Sequence, residues 1–445
     1  MIKILTAVIV ATGLYFLSTA FFEPVQSRLI GVVAFLVVLW SNEGLPLGAV
    51  SLMPLILFPV LGIVDLKTVT PNYSKPIIFL FIGGFFLALA MQKTKLHAVI
   101  SAKLLSVFPN TPRGIIYSLA ITSAVLSSFL SNTTVTLMLM PIAMFLTENK
   151  KLMVRFLIAT AYGASIGGIF TPIGTPPNMI LMGFLEDIDM KAPAFLEWMM
   201  LTAPVVIGML IIIPYLLSFG VRDEKLEGAV KEKGKPLSKE QKNLSFILIA
   251  LVVILLLNAP IKPIYSGLGL NEKLLLLGFG LLMFLFKFLK WEDTKEMPYE
   301  IVFLFGAGFS IASAFIKTGL ASALAGYFQY FGNFEMFVIL ILIALFVSFS
   351  TEITSNTALT SIALPVFYEF SKTSEINPEI ILFTATIAAS YAFMLPIATP
   401  PNAIIMSSRV IKVKEMAKIG FLVNLIGVVL VSLVAIFFWR GYFGN

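Results

Sequence analysis

Apolar residues in this chain come in long unbroken runs. They do not show the period-two alternation of a half-exposed strand or the single stripe of a surface helix. Runs cover residues 4–22, 28–41, 47–63 and 76–92 in the first half, and 244–258, 271–289 and 300–317 in the second. Runs at 197–220 and 417–439 close the two halves. Stretches this long and this poor in charge read as helices that cross a bilayer.

Three kinds of segment depart from that pattern, and each occurs twice. Residues 93–112 interleave Lys93, Lys95, His97 and Lys103 with Leu, Val and Ile, as a helix lying in the membrane interface does; residues 318–332 hold the same place in the second half. Next come paired runs around a polar triplet: 115–130 and 134–147 flank Ser131-Asn132-Thr133, and 334–370 carries Ser355-Asn356-Thr357. Sixteen and fourteen helical residues reach roughly 24 and 21 Å, short of a ~30 Å hydrocarbon core. Each pair is therefore expected as a re-entrant hairpin with the triplet at its tip. Last come two spans interrupted near Thr175-Pro176-Pro177-Asn178 and Thr399-Pro400-Pro401-Asn402. Paired prolines remove two backbone donors and bar regular helix just before them.

Both motif pairs recur at one offset of 224 residues. At that offset residues 303–320 match 79–96 at ten of eighteen positions, and 395–406 match 171–182 at eight of twelve. The chain is a duplicated unit. With five crossings and one hairpin per unit, the second copy is inverted relative to the first. The expected fold is an all-α polytopic membrane protein of about eleven transmembrane helices plus two re-entrant hairpins, with broken helices.

Composition agrees. The chain is 58% hydrophobic and 12% charged, with mean hydropathy +0.97, against roughly 25% charged in soluble domains. The net charge of +7 lies in short loops and gives no nucleic-acid signal. With the N-terminus placed in the cytoplasm, 22 of the 31 Lys and Arg fall on the inner side, as the positive-inside rule requires. Ser18-Thr19-Ala20 resembles a signal-peptidase site; a cleaved signal and a retained first helix are both open, and the orientation of the rest is the same either way. Residues 221–243, with seven Lys/Arg and five Asp/Glu, read as a cytoplasmic connector.

A broken helix in hydrocarbon survives only where it lines a cavity or holds an ion. Its free carbonyls suit a hard cation such as Na⁺; its free amides suit an anion. Ser, Asn and Thr add neutral oxygens and donors. Two inverted copies predict two cation sites flanking one anion site. Gly163, Gly167 and Gly168 are read as helix-packing positions only. Glu352 is the one carboxylate near a motif, with Ser128 at the matching position, and is read as tying down its hairpin. One acidic group is no proton relay. There is no nucleophile-plus-base pair and no His/Asp/Glu cluster, so an enzyme is not expected.

Paired Ser-Asn-Thr tips, paired Thr-Pro-Pro-Asn breaks and the repeat together resemble the divalent anion:sodium symporter family, which includes Na⁺/dicarboxylate, Na⁺/citrate and Na⁺/sulfate carriers. The resemblance spans nearly the whole chain. It implies sodium-coupled uptake of C4-dicarboxylates such as succinate, fumarate and malate by an elevator, in a homodimer of the cell (inner) membrane. It implies a first sodium site from Ser127, Ser131, Asn132 and Gly174. A second would use Thr351, Thr354, Ser355, Asn356, Ala398 and Pro400. Substrate would meet Asn132, Thr133, Asn356, Thr357 and Pro400. Sodium is then the coupling ion, and no organic cofactor is implied. A fixed scaffold would comprise residues 1–112 and 244–333, and a moving transport domain 113–220 and 334–445. Thr134, where many relatives carry Ala, departs from the family pattern. Sulfate or citrate carriage, dicarboxylate exchange and a channel remain alternatives.

Overall fold

The computed structural model describes residues 1–221, 224, 236–259, 265–328, 334–374 and 376–444. Most of the 221–243 connector and the end of the 318–332 segment lie outside them. Of the described residues 77% are helical, and none of them is in a strand.

Proline sets where many helices start. Its fixed φ suits the first helical position, where the missing N–H costs nothing. Thus α1 (Ile2–Ser18) is followed by α2 (Pro24–Asn42). The expected span at 47–63 is an apolar helical stretch, Leu47–Val60, made of α3 (Leu47–Leu52) and α4 (Pro54–Val60). Pro54 lacks the N–H that would continue the ladder of α3, while Met53 between the two keeps helical φ and ψ of −60° and −34°. After α5 (Leu66–Val69) come α6 (Pro76–Lys93) and α7 (Leu96–Val107), the latter on the expected interfacial segment. Next are α8 (Pro112–Ser127) and α9 (Asn132–Phe145), which form the first hairpin, then α10 (Lys150–Ile169), α11 (Pro176–Asp187) and α12 (Phe195–Leu217).

The second unit repeats this order. It runs α13 (Lys239–Asn258), α14 (Glu272–Leu285), α15 (Tyr299–Lys317), α16 (Leu320–Phe328), α17 (Met336–Ser350), α18 (Asn356–Ser374), α19 (Pro378–Ala388), α20 (Pro400–Ser407) and α21 (Val413–Val434). Helix α14 matches α3–α4 at the repeat offset but is unbroken, because Gly278 stands where Pro54 does. Even a turn repeats: Lys95 before α7 and Gly319 before α16 both have positive φ, +57° and +71°.

The two units exchange partners. Helix α6 packs on α14 of the other unit, and its copy α15 packs on α3. Helix α9 packs on α20, and its copy α18 on α11. Reciprocal pairs of this kind are what a pseudo-twofold relation between copies produces. Backbones approach closely at glycine. A Cβ on Gly83 would lie 2.5 Å from the Leu276 backbone of α14, and one on Gly163 2.4 Å from Ala120 O of α8.

Among the described residues, seven helical segments are long and apolar enough to cross a membrane alone: those at α2, α5–α6, α10, α12, α13, α15 and α21. Eleven crossings would add α1, α3–α4, α14 and α19–α20, which are shorter.

Gly167 tests the close packing of α8 on α10. A methyl there would sit 2.2 Å from Ala124 O, which is backbone and cannot swing away. Gly167→Ala should lower stability by about 1–3 kcal/mol, read as an earlier thermal unfolding transition in detergent. An unchanged transition would contradict this packing.

Candidate functional site

The two hairpin tips carry the same hydrogen bond. Ser127 closes α8, and its hydroxyl donates to Asn132 Oδ1 at the start of α9 (2.5 Å). Thr351 closes α17, and its hydroxyl donates to Asn356 Oδ1 at the start of α18. Ser127 and Thr351 are fully buried, while both asparagines are partly exposed. In each pair the amide oxygen is turned toward the hairpin, and the NH₂ group has no partner among the described residues. The hydroxyls of Thr133 and Thr357 also have none. Main-chain amides at the first turns of α9 and α18 are free of helical acceptors, as at any helix start, and they add to the donors there.

Each hairpin tip lies beside a broken helix. Helix α10 ends at Ile169 and α11 begins at Pro176; α19 ends at Ala388 and α20 begins at Pro400. The carbonyls released by these breaks are met by buried side chains. Asn178 Nδ2 donates to Gly168 O (3.0 Å) and Thr171 O (2.8 Å). At the repeat offset, Asn402 Nδ2 donates to Ala392 O (2.9 Å) and Leu395 O (3.0 Å). Helix α12 adds Trp198 Nε1 to Ile169 O (3.0 Å) and Thr202 Oγ1 to Phe170 O (3.3 Å). The Tyr162 hydroxyl crosses from the first unit to Phe393 O (2.5 Å). Thr171 ties the first break to its hairpin through Ser128 O, and Thr351 ties the second through Ala389 O (3.1 Å). Gly174 O and Ala398 O, one in each break, accept from no donor among the described residues.

The structure brings Ser127, Asn132 and Gly174 together, and Gly168 packs beside them. A Cβ there would lie 2.8 Å from Asn132 Oδ1 and 3.2 Å from Gly174 O. The bare Cα lets the Asn132 amide and Gly174 O lie close against α10. Ser131 is an N-cap: its oxygen accepts from Thr134 N (3.2 Å) and shares a hydrogen bond with Thr134 Oγ1 (2.8 Å). In the second unit Ser355 receives only a long contact from Ala358 N (3.5 Å). Thr134 therefore occupies the Ser131 hydroxyl in a way its counterpart Ala358 cannot match. Thr354 donates its hydroxyl to Ser350 O (2.8 Å), which leaves its backbone to serve any ligand. Ala398 lies in the second break, and Pro400 is exposed at the first position of α20. No hydrogen bond joins either to the Asn356 side chain.

Glu352 sits where the second hairpin, the second break and α21 meet. Its carboxylate accepts from Met394 N and Leu395 N (2.9 Å each) and from Asn424 Nδ2 (2.7 Å). These bonds tie the hairpin tip to the break. The clamping role of Asn178 and Asn402 was not anticipated from the sequence, although their equal offset was a signal for it.

Gly168→Ala tests the geometry of the first site. The added methyl should crowd Asn132 Oδ1 and Gly174 O while leaving the fold intact. It should reduce ligand-induced thermal stabilisation of the purified protein by at least ~1.4 kcal/mol, a tenfold loss of affinity. Unchanged stabilisation would show that this space is not part of the site.

Comparison with known proteins now adds identity to the geometry. A family profile described as "Citrate transporter" matches residues 35–388. The sodium-dependent dicarboxylate transporter SdcS of Staphylococcus saprophyticus is 30% identical over 97% of this chain and 91% of its own length. SdcS of Staphylococcus aureus strain USA300 is 29% identical over 97% and 90%. Two solved structures share the fold. MtrF of Neisseria gonorrhoeae has a TM-score of 0.60 and 13% identity, covering 84% of this chain and 83% of that one. The YdaH transporter of Alcanivorax borkumensis has a TM-score of 0.57 and 16% identity, covering 84% and 88%. The chain is a multi-pass membrane carrier and not an enzyme, and it belongs to the citrate transporter family within the divalent anion:sodium symporter superfamily.

Proposed function

We propose that this carrier takes up C4-dicarboxylates such as succinate, fumarate and malate together with Na⁺. The observation that carries the reading is the matched pair of tips, Ser127–Asn132 and Thr351–Asn356. Each lies beside a break with a donor-free carbonyl, Gly174 O or Ala398 O. A cluster of neutral oxygens suits Na⁺, and free amides at helix starts suit a carboxylate. The SdcS relatives are named as sodium-dependent dicarboxylate transporters, which supports both the ion and the substrate class.

In this reading the first sodium ion is held by Ser127, Ser131, Asn132 and Gly174. The second is held by Thr351, Thr354, Ser355, Asn356, Ala398 and Pro400. The dicarboxylate meets Asn132, Thr133, Asn356, Thr357 and Pro400. Each asparagine then faces sodium with its oxygen and substrate with its NH₂, so one side chain serves both. A dianion between two sodium ions is close to neutral, which lowers the cost of holding it in the membrane. Residues 113–220 and 334–445 form the moving body of an elevator. Helices α9, α11, α18 and α20 interlock across the repeat, which favours their moving together. Residues 1–112 and 244–333 form the scaffold, in a homodimer of the cell (inner) membrane with the N-terminus cytoplasmic.

The test is uptake of labelled succinate and sulfate into proteoliposomes. Saturable succinate uptake is expected with an inward Na⁺ gradient and is lost when K⁺ or choline replaces Na⁺. Undiminished uptake in Na⁺-free buffer under an acid-outside gradient would refute sodium coupling. Uptake of sulfate but not succinate would refute the substrate assignment.

A further inference from the structure

The two breaks are not equally covered. In the first, Ile173 is partly buried against α6: a Cβ on Gly84 would lie 2.9 Å from Ile173 Cδ1. Its counterpart Ile397 in the second break is 78% exposed. The first break is therefore covered by α6, a helix of the proposed scaffold, while Ile397 of the second is not covered by the described residues.

Ion pairs accompany the sealed side. Helix α11 is a rod of twelve residues, about 18 Å at ~1.5 Å per residue. Its first turn carries Pro176, Pro177 and Asn178 of the site, and its last turn ends in Glu186 and Asp187. Lys75, at the N-cap of α6, pairs with Asp187. Lys273, in the first turn of α14, pairs with Glu186. Lys75 is further enclosed by the Phe309 ring of α15, 4.3 Å from its Nζ. Gly183 lets α11 lie directly on that ring, since a Cβ there would be 2.3 Å from Phe309 Cε1. The lysine side chains are only 14% and 23% exposed.

Local helix stability does not account for these carboxylates. Two acidic residues at a helix C-terminus oppose the macrodipole, so they need cations brought from elsewhere. The repeat offers no parallel. The matching positions are Tyr299 for Lys75, Ala49 for Lys273, Val410 for Glu186 and Ile411 for Asp187. Both pairs join α11, in the proposed moving body, to helices of the proposed scaffold.

We propose that Lys75–Asp187 and Lys273–Glu186 form a latch that positions α11 and holds the carrier in the state with the first break sealed. The inference rests on the two-body reading above. Moving the body against the scaffold requires both pairs to part and Ile173 to leave Gly84. These four residues touch neither ion nor substrate; they act through the far end of the helix that builds the site.

The chain has no cysteine, so Ile173→Cys and Ile397→Cys, made one at a time, each provide a single thiol. Reaction with a water-soluble methanethiosulfonate is measured on the purified full chain in detergent. In the parent, the thiol at position 397 should react fast and that at 173 slowly. Lys75→Gln with Lys273→Gln should speed reaction at 173 and slow it at 397, each by about tenfold, a typical coupling between sites. Unchanged rates would overturn the latch. Faster reaction at both positions would also overturn it, because that is the mark of a loosened fold. Exchanging the charges, Lys75→Asp with Asp187→Lys, should return both rates toward the parent values; rates that stay shifted would count against charge pairing. Adding Na⁺ and succinate to the parents tests the two-body reading separately. If ligands shift the rates but the latch variants do not, the latch alone is wrong. If ligands shift neither rate, the moving body is wrong.

Discussion

A main-chain carbonyl released inside a membrane must find a donor or a cation, because there is no bulk water to supply one. Two helices in this protein stop midway, and much of the surrounding structure answers that demand. Asn178 holds three carbonyls of its own break and Asn402 holds two. Trp198 and Thr202 reach across from α12, and Tyr162 from the opposite unit. Glu352 meets the complementary need by accepting from two amides of the second break. Among the groups left without a donor or acceptor in the described residues are Gly174 O, Ala398 O and the asparagine NH₂ groups at the tips, and first-turn amides of α9 and α18 are free of helical acceptors.

Duplication explains why the leftovers come in pairs. Each unit supplies a hairpin and a break, and the partners cross over, α9 with α20 and α18 with α11. Neither unit can build the shared centre alone. The copies have since diverged around that centre. Thr134 engages Ser131 where Ala358 leaves Ser355 almost free. Glu352 stands where Ser128 stands in the first unit, and Ser128 makes only neutral bonds, to Ala124 O and Gly167 O. The first break is covered and ion-paired at the far end of α11; the second is neither.

Much of this was legible in the sequence. The helical runs, the paired helices around each polar triplet and both breaks were readable because proline and short polar motifs act locally, and the repeat gave each feature a second witness. The surroundings of Gly168 were not legible. It sits in a small-residue stripe with Gly163 and Gly167, and only the fold shows that it faces Asn132 while the other two face α8. The lysine–carboxylate pairs were out of reach. Lys75 and Asp187 are 112 residues apart, and no local pattern marks one as the partner of the other. The repeat, so useful elsewhere, was silent there because its second copy has no such pair.

The central claim is that one asparagine in each unit serves sodium and substrate together, so the two ligands must bind in mutual dependence. Calorimetric titration of the purified protein tests this without transport. Succinate affinity is measured with and without Na⁺, and Na⁺ affinity with and without succinate. The account predicts that each ligand tightens the other by the same factor, as linkage requires. Succinate binding of equal strength in Na⁺ and in choline would contradict it.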